Sequence, residues 1–278
     1  MQVLLAKHAG FCFGVKRAIT IVEDALTRYG HVYLLGPIIH NPQEVSRLEN
    51  RGAITITDIS QCDKSIPIVI STHGISQQYV HTITARGITI IDTTCPIVKK
   101  AQKAAEQLEK EHYKVILVGE ASHPEVLGIL GNLATIGYVV EKPTDLPLLQ
   151  ENDAIGIISQ TTMSEEVFNN IITEVKTRTK NVKIINTICN ATRLRQDSAV
   201  NLAKKVSLML IIGGFNSANT RRLYELCNRT CHSTYHIETT GDIKHKWFDE
   251  NKNSGITAGA STPNWIISDI ISYLENLF

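Results

Sequence analysis

The chain has 278 residues, enough to bury one to three hydrophobic cores, and its 43% hydrophobic and 20% charged residues give a globular balance without disorder. A formal net charge of +1 argues against a bulk nucleic-acid binder, and no apolar run approaches the ~20 residues of a membrane span. The start lacks the basic, apolar and cleavage-site pattern of a secretion signal, so the expected compartment is the cytoplasm.

In that compartment the six cysteines are not expected to form a disulfide framework, which leaves metal binding or redox chemistry. There is no Cys-x-x-Cys, and the closest pair is Cys227 and Cys231. The ligands of any metal must therefore come from distant parts of the chain.

An apolar run at 3–6 enters Gly10-Phe11-Cys12-Phe13-Gly14, and Val15, Ala18, Ile19, Val22, Ala25 and Leu26 then follow at helical spacing. A strand at 32–36 leads to a polar loop with His40 and a helix at 43–50. A second strand, 68–72, leads to His73-Gly74 and a helix at 77–85, and a third, 88–92, leads to Cys95. The pattern then begins again. A strand at 114–119 leads to His123 and a helix at 125–132, and one at 154–158 leads to Ser159-Gln160-Thr161-Thr162 and a helix at 164–179. A strand at 182–186 then reaches Cys189. The third round runs from 207–214 to Ser217 and a helix at 219–227, then from 255–258 to Gly259-Ala260-Ser261 and a helix at 263–277. Ser164 ahead of Glu165 and Glu166 suits a helix start, and Pro263 a first helical turn.

Cys12 to His40, Cys95 to His123 and Cys189 to Ser217 are each 28 positions apart. That interval sorts the cysteines: Cys62, Cys227 and Cys231 fall outside the repeat and read as ordinary thiols. The third round lacks a closing strand, and the N-terminal run supplies one. The lobes are thus 13–95, 96–188 and 189–278, the last completed by 1–12. Strands alternating with helices imply parallel sheets. The expected fold is α/β, three pseudo-threefold-related lobes with mainly parallel sheets around a central iron–sulfur or other metal site. Loops at the carboxyl ends of strands are where open α/β sheets bind ligands.

Cys12, Cys95 and Cys189 would supply three thiolates to that centre. These suit a [4Fe–4S] cluster with one open iron, or zinc completed by histidine or water. The loops add His40, His73, His123, Gln160, Thr161, Thr162, Ser217, Asn219 and Ser261, a neutral-to-cationic donor set beside helix starts that favours an anion such as a diphosphate. Glu125 is the acidic residue of these repeat loops and the candidate for proton delivery.

Several motifs together resemble the LytB/IspH family of 4-hydroxy-3-methylbut-2-enyl diphosphate reductases. They are Gly10-Phe11-Cys12-Phe13-Gly14-Val15, Gly36-Pro37-Ile38-Ile39-His40-Asn41, Thr72-His73-Gly74, Asp92-Thr93-Thr94-Cys95-Pro96 and His123-Pro124-Glu125, followed by Ser159-Gln160-Thr161-Thr162, Thr187-Ile188-Cys189-Asn190-Ala191-Thr192, Asn216-Ser217-Ala218-Asn219-Thr220 and Gly259-Ala260-Ser261. The resemblance implies an iron–sulfur oxidoreductase that reductively dehydroxylates (E)-4-hydroxy-3-methylbut-2-enyl diphosphate to isopentenyl and dimethylallyl diphosphates, the last step of the non-mevalonate isoprenoid pathway. It implies one [4Fe–4S] cluster on Cys12, Cys95 and Cys189, with one open iron for the substrate hydroxyl. His40, His73, Ser217, Asn219 and Ser261 would hold the diphosphate with His123 close by, Thr161 would contact the alcohol, and Glu125 would supply protons. Ferredoxin or flavodoxin would deliver electrons. The sequence departs from some members at Ala218, often a second serine, and at Phe215, often a lysine.

Overall fold

The computed structural model describes residues 2–60, 62–248 and 252–277. From the N-terminus come β1 (Val3–Leu5), α1 (Phe13–Tyr29), β2 (Val32–Leu35), α2 (Pro42–Glu49), β3 (Ala53–Ile56), β4 (Ile68–Ile70), α3 (Gln77–Ala85) and β5 (Ile90–Asp92). Next are α4 (Pro96–Lys110), β6 (Lys114–Val118), α5 (Pro124–Leu130), β7 (Tyr138–Val140), β8 (Ala154–Ser159), α6 (Glu165–Arg178) and β9 (Asn181–Ile184). The chain closes with α7 (Asn190–Ala203), β10 (Leu208–Ile212), α8 (Ala218–Asn228), β11 (Thr234–Ile237), β12 (Ser254–Ala258) and α9 (Asn264–Leu277).

These strands form three four-stranded sheets, β3-β2-β4-β5, β7-β6-β8-β9 and β11-β10-β12-β1, in which every pairing is parallel. The strand order is the same in all three, and β1 takes the place that β5 and β9 hold in the others. Its register against β12 is Val3↔Ser254, Leu4↔Gly255 and Leu5↔Ile256. The N-terminal run therefore completes the last sheet, as the missing strand of the third round requires.

Parallel strands covered on both faces read as continuous apolar runs, and β10 illustrates why. Leu208, Leu210 and Ile212 pack with Ile266, Ile267, Ile270 and Leu274 of α9. The alternate residues Met209 and Ile211 pack with Ala199 and Ala203 of α7 and Leu223 of α8. In β6, Ile116 and Val118 face Phe168, Ile171 and Val175 of α6, while Val115 and Leu117 face α4 and α5. The same logic explains what sequence reading missed. Strands β3, β7 and β11 are outer strands of three or four residues, some of them exposed, too short to stand out. The strands expected at 68–72 and 182–186 end at Ile70 and Ile184, because the residues beyond them turn into loops.

By compactness the chain divides into two units. One holds the residues up to Lys16, Ile39–Arg47 and those from Asn190 onward; the other holds Arg17–Ile38 and Leu48–Cys189. The β11-β10-β12-β1 sheet belongs to the first and the other two sheets to the second. Among the described residues no helix is long and apolar enough to cross a membrane.

Two strand glycines admit the helices that follow cysteines. A Cβ on Gly156 of β8 would lie 2.8 Å from both Leu108 methyl groups of α4, and one on Gly255 of β12 would lie 3.1 Å from Leu202 Cγ of α7. Valine favours strands by at most ~1 kcal/mol, whereas overpacking a core costs ~1–3 kcal/mol. Gly156→Val is therefore expected to destabilise the protein by up to roughly 2 kcal/mol, the overpacking cost less the strand preference, and denaturant unfolding will measure it.

Candidate active site

Each repeat cysteine stands between a strand end and a helix start, and Cys95 is the N-cap of α4 with Pro96 in its first turn. All three are half-buried, and none is in a disulfide among the described residues. Their backbone N–H groups make one recurring contact: Cys12 donates to the Ala260 carbonyl at 3.2 Å, Cys95 to Thr72 at 3.0 Å and Cys189 to Thr161 at 2.9 Å. The acceptors immediately precede Ser261, His73 and Thr162, so each cysteine is tied to the second polar loop of its own sheet. The other cysteines are core residues. Cys62 packs with Ile59, Ile68, Ile83 and Ile88, and burial, with Cys231 beside it, pushes the Cys227 thiol up to about 12.

In the larger unit, Glu125 lies in the first turn of α5 and is only 2% exposed. The Thr161 N–H donates to its Oε1 at 2.6 Å and the Thr161 hydroxyl to its Oε2 at 2.8 Å. Burial raises the carboxyl pKa to about 7, against the lowering effect of those two hydrogen bonds. The group is thus poised to gain or lose a proton near neutrality. When protonated, its own O–H can point at Thr161 Oγ1 and free the threonine hydrogen for the next acceptor.

His123 caps α5: its Nδ1 accepts the Glu125 N–H at 3.1 Å, which puts the proton of the neutral ring on Nε2. His73 meets it edge to face, ring centroids 5.3 Å apart, and His73 Nδ1 lies 3.4 Å from the Ser71 hydroxyl. Gln160 is fully buried and its amide works inside the loop, with Nε2 donating to Thr162 Oγ1 at 3.0 Å and Oε1 accepting the Glu120 N–H at 3.0 Å.

The smaller unit carries Cys12, His40, Ser217, Asn219 and Ser261. Ser217 is the N-cap of α8, its hydroxyl accepting the Thr220 N–H at 3.3 Å. The Ser261 hydroxyl donates to the His40 carbonyl at 3.2 Å. Burial, and secondarily the nearby Arg221 cation, hold the His40 imidazole below its usual pKa, so it serves as a neutral donor or acceptor. Asn219 carries the clearest sign of a ligand. Its side chain is buried, and among the described residues neither Nδ2 nor Oδ1 has a hydrogen-bond partner, a cost that a polar ligand would relieve. Ala218 occupies the first turn of α8, where backbone N–H groups are available to an anion. Phe215 turns half out to solvent, packs on His236 at 4.7 Å, and gives its N–H to Glu238 Oε1 at 2.6 Å.

The donor set suits an iron–sulfur group. Three half-buried thiols outside any disulfide are backbone-anchored, and the Val15 N–H lies 3.5 Å from Cys12 Sγ, the type of N–H···S contact that tunes clusters. Sequence reading found these thiols, but not the carbonyls that hold them or the Gln160 contacts. Those depend on which strands become neighbours.

The chain matches the family model described as LytB protein over residues 3–275. It is 46% identical over 281 residues to the 4-hydroxy-3-methylbut-2-enyl diphosphate reductase of Aquifex aeolicus (strain VF5), covering 100% of this chain and 97% of that one. The enzyme of the same name from Geobacter sp. (strain M21) is 45% identical, with 99% and 97% covered. The fold is similar to a solved (E)-4-hydroxy-3-methyl-but-2-enyl diphosphate reductase, described as the terminal enzyme of the non-mevalonate pathway. That likeness has a TM-score of 0.75 and 46% identity over 99% of this chain and 100% of the other. The E-1-hydroxy-2-methyl-but-2-enyl-4-diphosphate reductase from Plasmodium falciparum gives a TM-score of 0.93 at 28% identity, over 99% and 88%.

The Glu125 geometry makes a titration prediction. An acid whose pKa rises from its ordinary 4.5 when unfolded to about 7 when folded weakens the folded state as pH climbs through that window. Glu125→Gln should remove that slope from stability measured against pH. Thr161→Val should move the carboxyl titration, followed by infrared difference spectroscopy, above the wild-type value, because it deletes a hydrogen bond that favours the carboxylate.

Proposed function

The chain belongs to the LytB protein family and reduces 4-hydroxy-3-methylbut-2-enyl diphosphate, the terminal reaction of the non-mevalonate pathway, and from that premise we propose how its own residues divide the work. One observation carries the reading. Thr161 binds both oxygens of Glu125 through its N–H and hydroxyl, while its carbonyl holds the Cys189 N–H. A single residue thus joins the proton source to a cysteine of the metal site.

The reaction exchanges a carbon–oxygen bond for a carbon–hydrogen bond. It consumes two electrons and two protons, and water carries off the hydroxyl oxygen. Isopentenyl and dimethylallyl diphosphates are the proposed products, differing in which carbon receives hydrogen. Cys12, Cys95 and Cys189 would hold the proposed [4Fe–4S] cluster, which with an open iron would supply a Lewis acid for the hydroxyl and a path for single electrons. Ferredoxin or flavodoxin is the proposed donor, and the cytoplasm, where thiols stay reduced, the proposed compartment. Each proposed lobe, 13–95, 96–188 and 189–278 with 1–12, contributes one ligand loop.

The protein's part is proton delivery and orientation. Protonated Glu125 passes its hydrogen to Thr161 Oγ1, and the threonine hydrogen goes on to the departing hydroxyl, which then leaves as water rather than hydroxide. Neutral His123, with its proton on Nε2, is a further donor beside the acid. The diphosphate is assigned to His40, His73, Ser217, Asn219 and Ser261, with the first-turn N–H groups of α8. The open amide of Asn219 supports that assignment, and Gln160 and Thr162 set the shape of the Thr161 loop.

Protein loaded anaerobically with iron and sulfide should show a brown chromophore, iron and sulfide in equal amounts, and turnover of the diphosphate substrate with a chemical reductant. Zinc in place of iron would overturn the reading. Glu125→Gln should keep the chromophore and substrate binding yet lose ~10²–10⁴-fold in kcat. Asn219→Ala should chiefly weaken substrate binding, measured by calorimetry on the loaded protein.

A further inference from the structure

We propose that Arg195, with Arg17 in a lesser part, is a positioning residue for the metal-ligating loops: each guanidinium holds backbone carbonyls of the segment that leads into a repeat cysteine. The proposal rests on the reading of Cys12, Cys95 and Cys189 as ligands.

Arg195 lies in α7 and is only 4% exposed. Its Nη2 donates to the Gly10 carbonyl at 2.7 Å and its Nη1 to the Ala191 carbonyl, one turn earlier in α7, at 3.3 Å. Charged groups are seldom buried this far, and a charge-assisted bond of that length is a strong one. Its acceptor is two residues from Cys12. Gly10 is itself fixed by a φ of +81°, where side chains are strained, and a Cβ there would lie 3.0 Å from both Asn264 Oδ1 and Ile267 Cδ1. Two backbone bonds, Gly10 N–H to Ala258 O and Cys12 N–H to Ala260 O, hold the inner side of the same loop. At 3.4 and 3.2 Å both are long. The arginine fork is the short bond of the group, and it sets where the Gly10 peptide, and so the Cys12 thiol, can sit.

Arg17 repeats the arrangement at another cysteine. It stands in α1, and its Nη1 approaches the Thr93 and Thr94 carbonyls, just ahead of Cys95, at 3.4 and 3.5 Å. In sequence, Arg17 comes five residues after Cys12, and Arg195 six after Cys189. In both cases the helix that follows one cysteine carries the arginine serving the loop before another. A surface arginine on a helix would show no such preference for cysteine-loop carbonyls.

The test compares Arg195→Met, Arg195→Lys and Arg17→Met in the full chain. Amide hydrogen exchange is read by mass spectrometry on the peptide spanning 8–13. Iron release to a chelator and the paramagnetic resonance spectrum of the reduced cluster are read on loaded protein. Arg195→Met should speed exchange at Gly10 and Cys12 by about tenfold, the scale of a lost charged hydrogen bond, with β12 unchanged. It should also release iron several-fold faster by the same loss and alter the spectrum. Lysine, which keeps a donor and the charge, should recover part of each change. Arg17→Met should act on 93–95 in the same way but more weakly, and it carries the test should Arg195→Met fail to fold. A wild-type protein that takes up no iron sinks the reading of the cysteines as ligands. A wild type that loads normally, with Arg195→Met equal to it in exchange and in iron retention, sinks the role of Arg195 alone.

Discussion

The structure depends on the last rung of three parallel ladders. In the first sheet β5 pairs with β4 up to Asp92 and Ile70; the Thr93 N–H then reaches the Ile70 carbonyl and the Cys95 N–H the Thr72 carbonyl. In the second, Ile185 bonds to Ile157, the Ser159 N–H goes to the Thr187 hydroxyl, and Cys189 bonds to Thr161. In the third, Ala6 bonds to Ile256, Gly10 to Ala258 and Cys12 to Ala260, after a two-residue excursion at Lys7 and His8. Each cysteine is therefore placed by sheet register. A slip of one residue would turn its side chain to the opposite face. The core that fixes the register is also what fixes the thiol.

Much of this was readable in sequence because parallel strands buried on both faces leave unbroken apolar runs, and β6, β8 and β10 do so. The interval of 28 between cysteine and loop residue survives in all three rounds because the same helix and strand lie between them. The outer strands β3, β7 and β11 were not readable, since a run of three or four residues is too short to show a period, even when β-branched or aromatic. Nor were the cysteine N–H bonds, which need the strand order and not merely the strands. Arg195 was hidden for a different reason. A charged residue in a helix reads as solvated, and only the fold reveals that Gly10 sits beneath it.

Glu125 shows how a cost in stability becomes chemistry. Burial alone would leave the carboxyl neutral and idle, while strong hydrogen bonds alone would leave it ionised and unable to give a proton at pH 7. Thr161 supplies enough stabilisation of the carboxylate to stop the rise near neutrality, where an acid is most useful in both directions. Because the same threonine anchors Cys189 through its carbonyl, motion of one element disturbs the other. Replacing it by serine keeps every polar contact, whereas valine keeps the shape and loses the relay.

The anion side follows the opposite logic. Substrate and products all carry the diphosphate, so binding it tightly lowers every state alike and adds nothing to the rate of the chemical step. The proposed set of imidazole, hydroxyl and amide groups would orient the molecule without holding the product as a cluster of lysines would. His40, kept neutral by burial and by Arg221, and Asn219, whose buried amide lacks a partner among the described residues, are consistent with that proposal. What must differ between ground state and transition state is the charge on the departing oxygen, and the proposed relay through Glu125 and Thr161 addresses that difference.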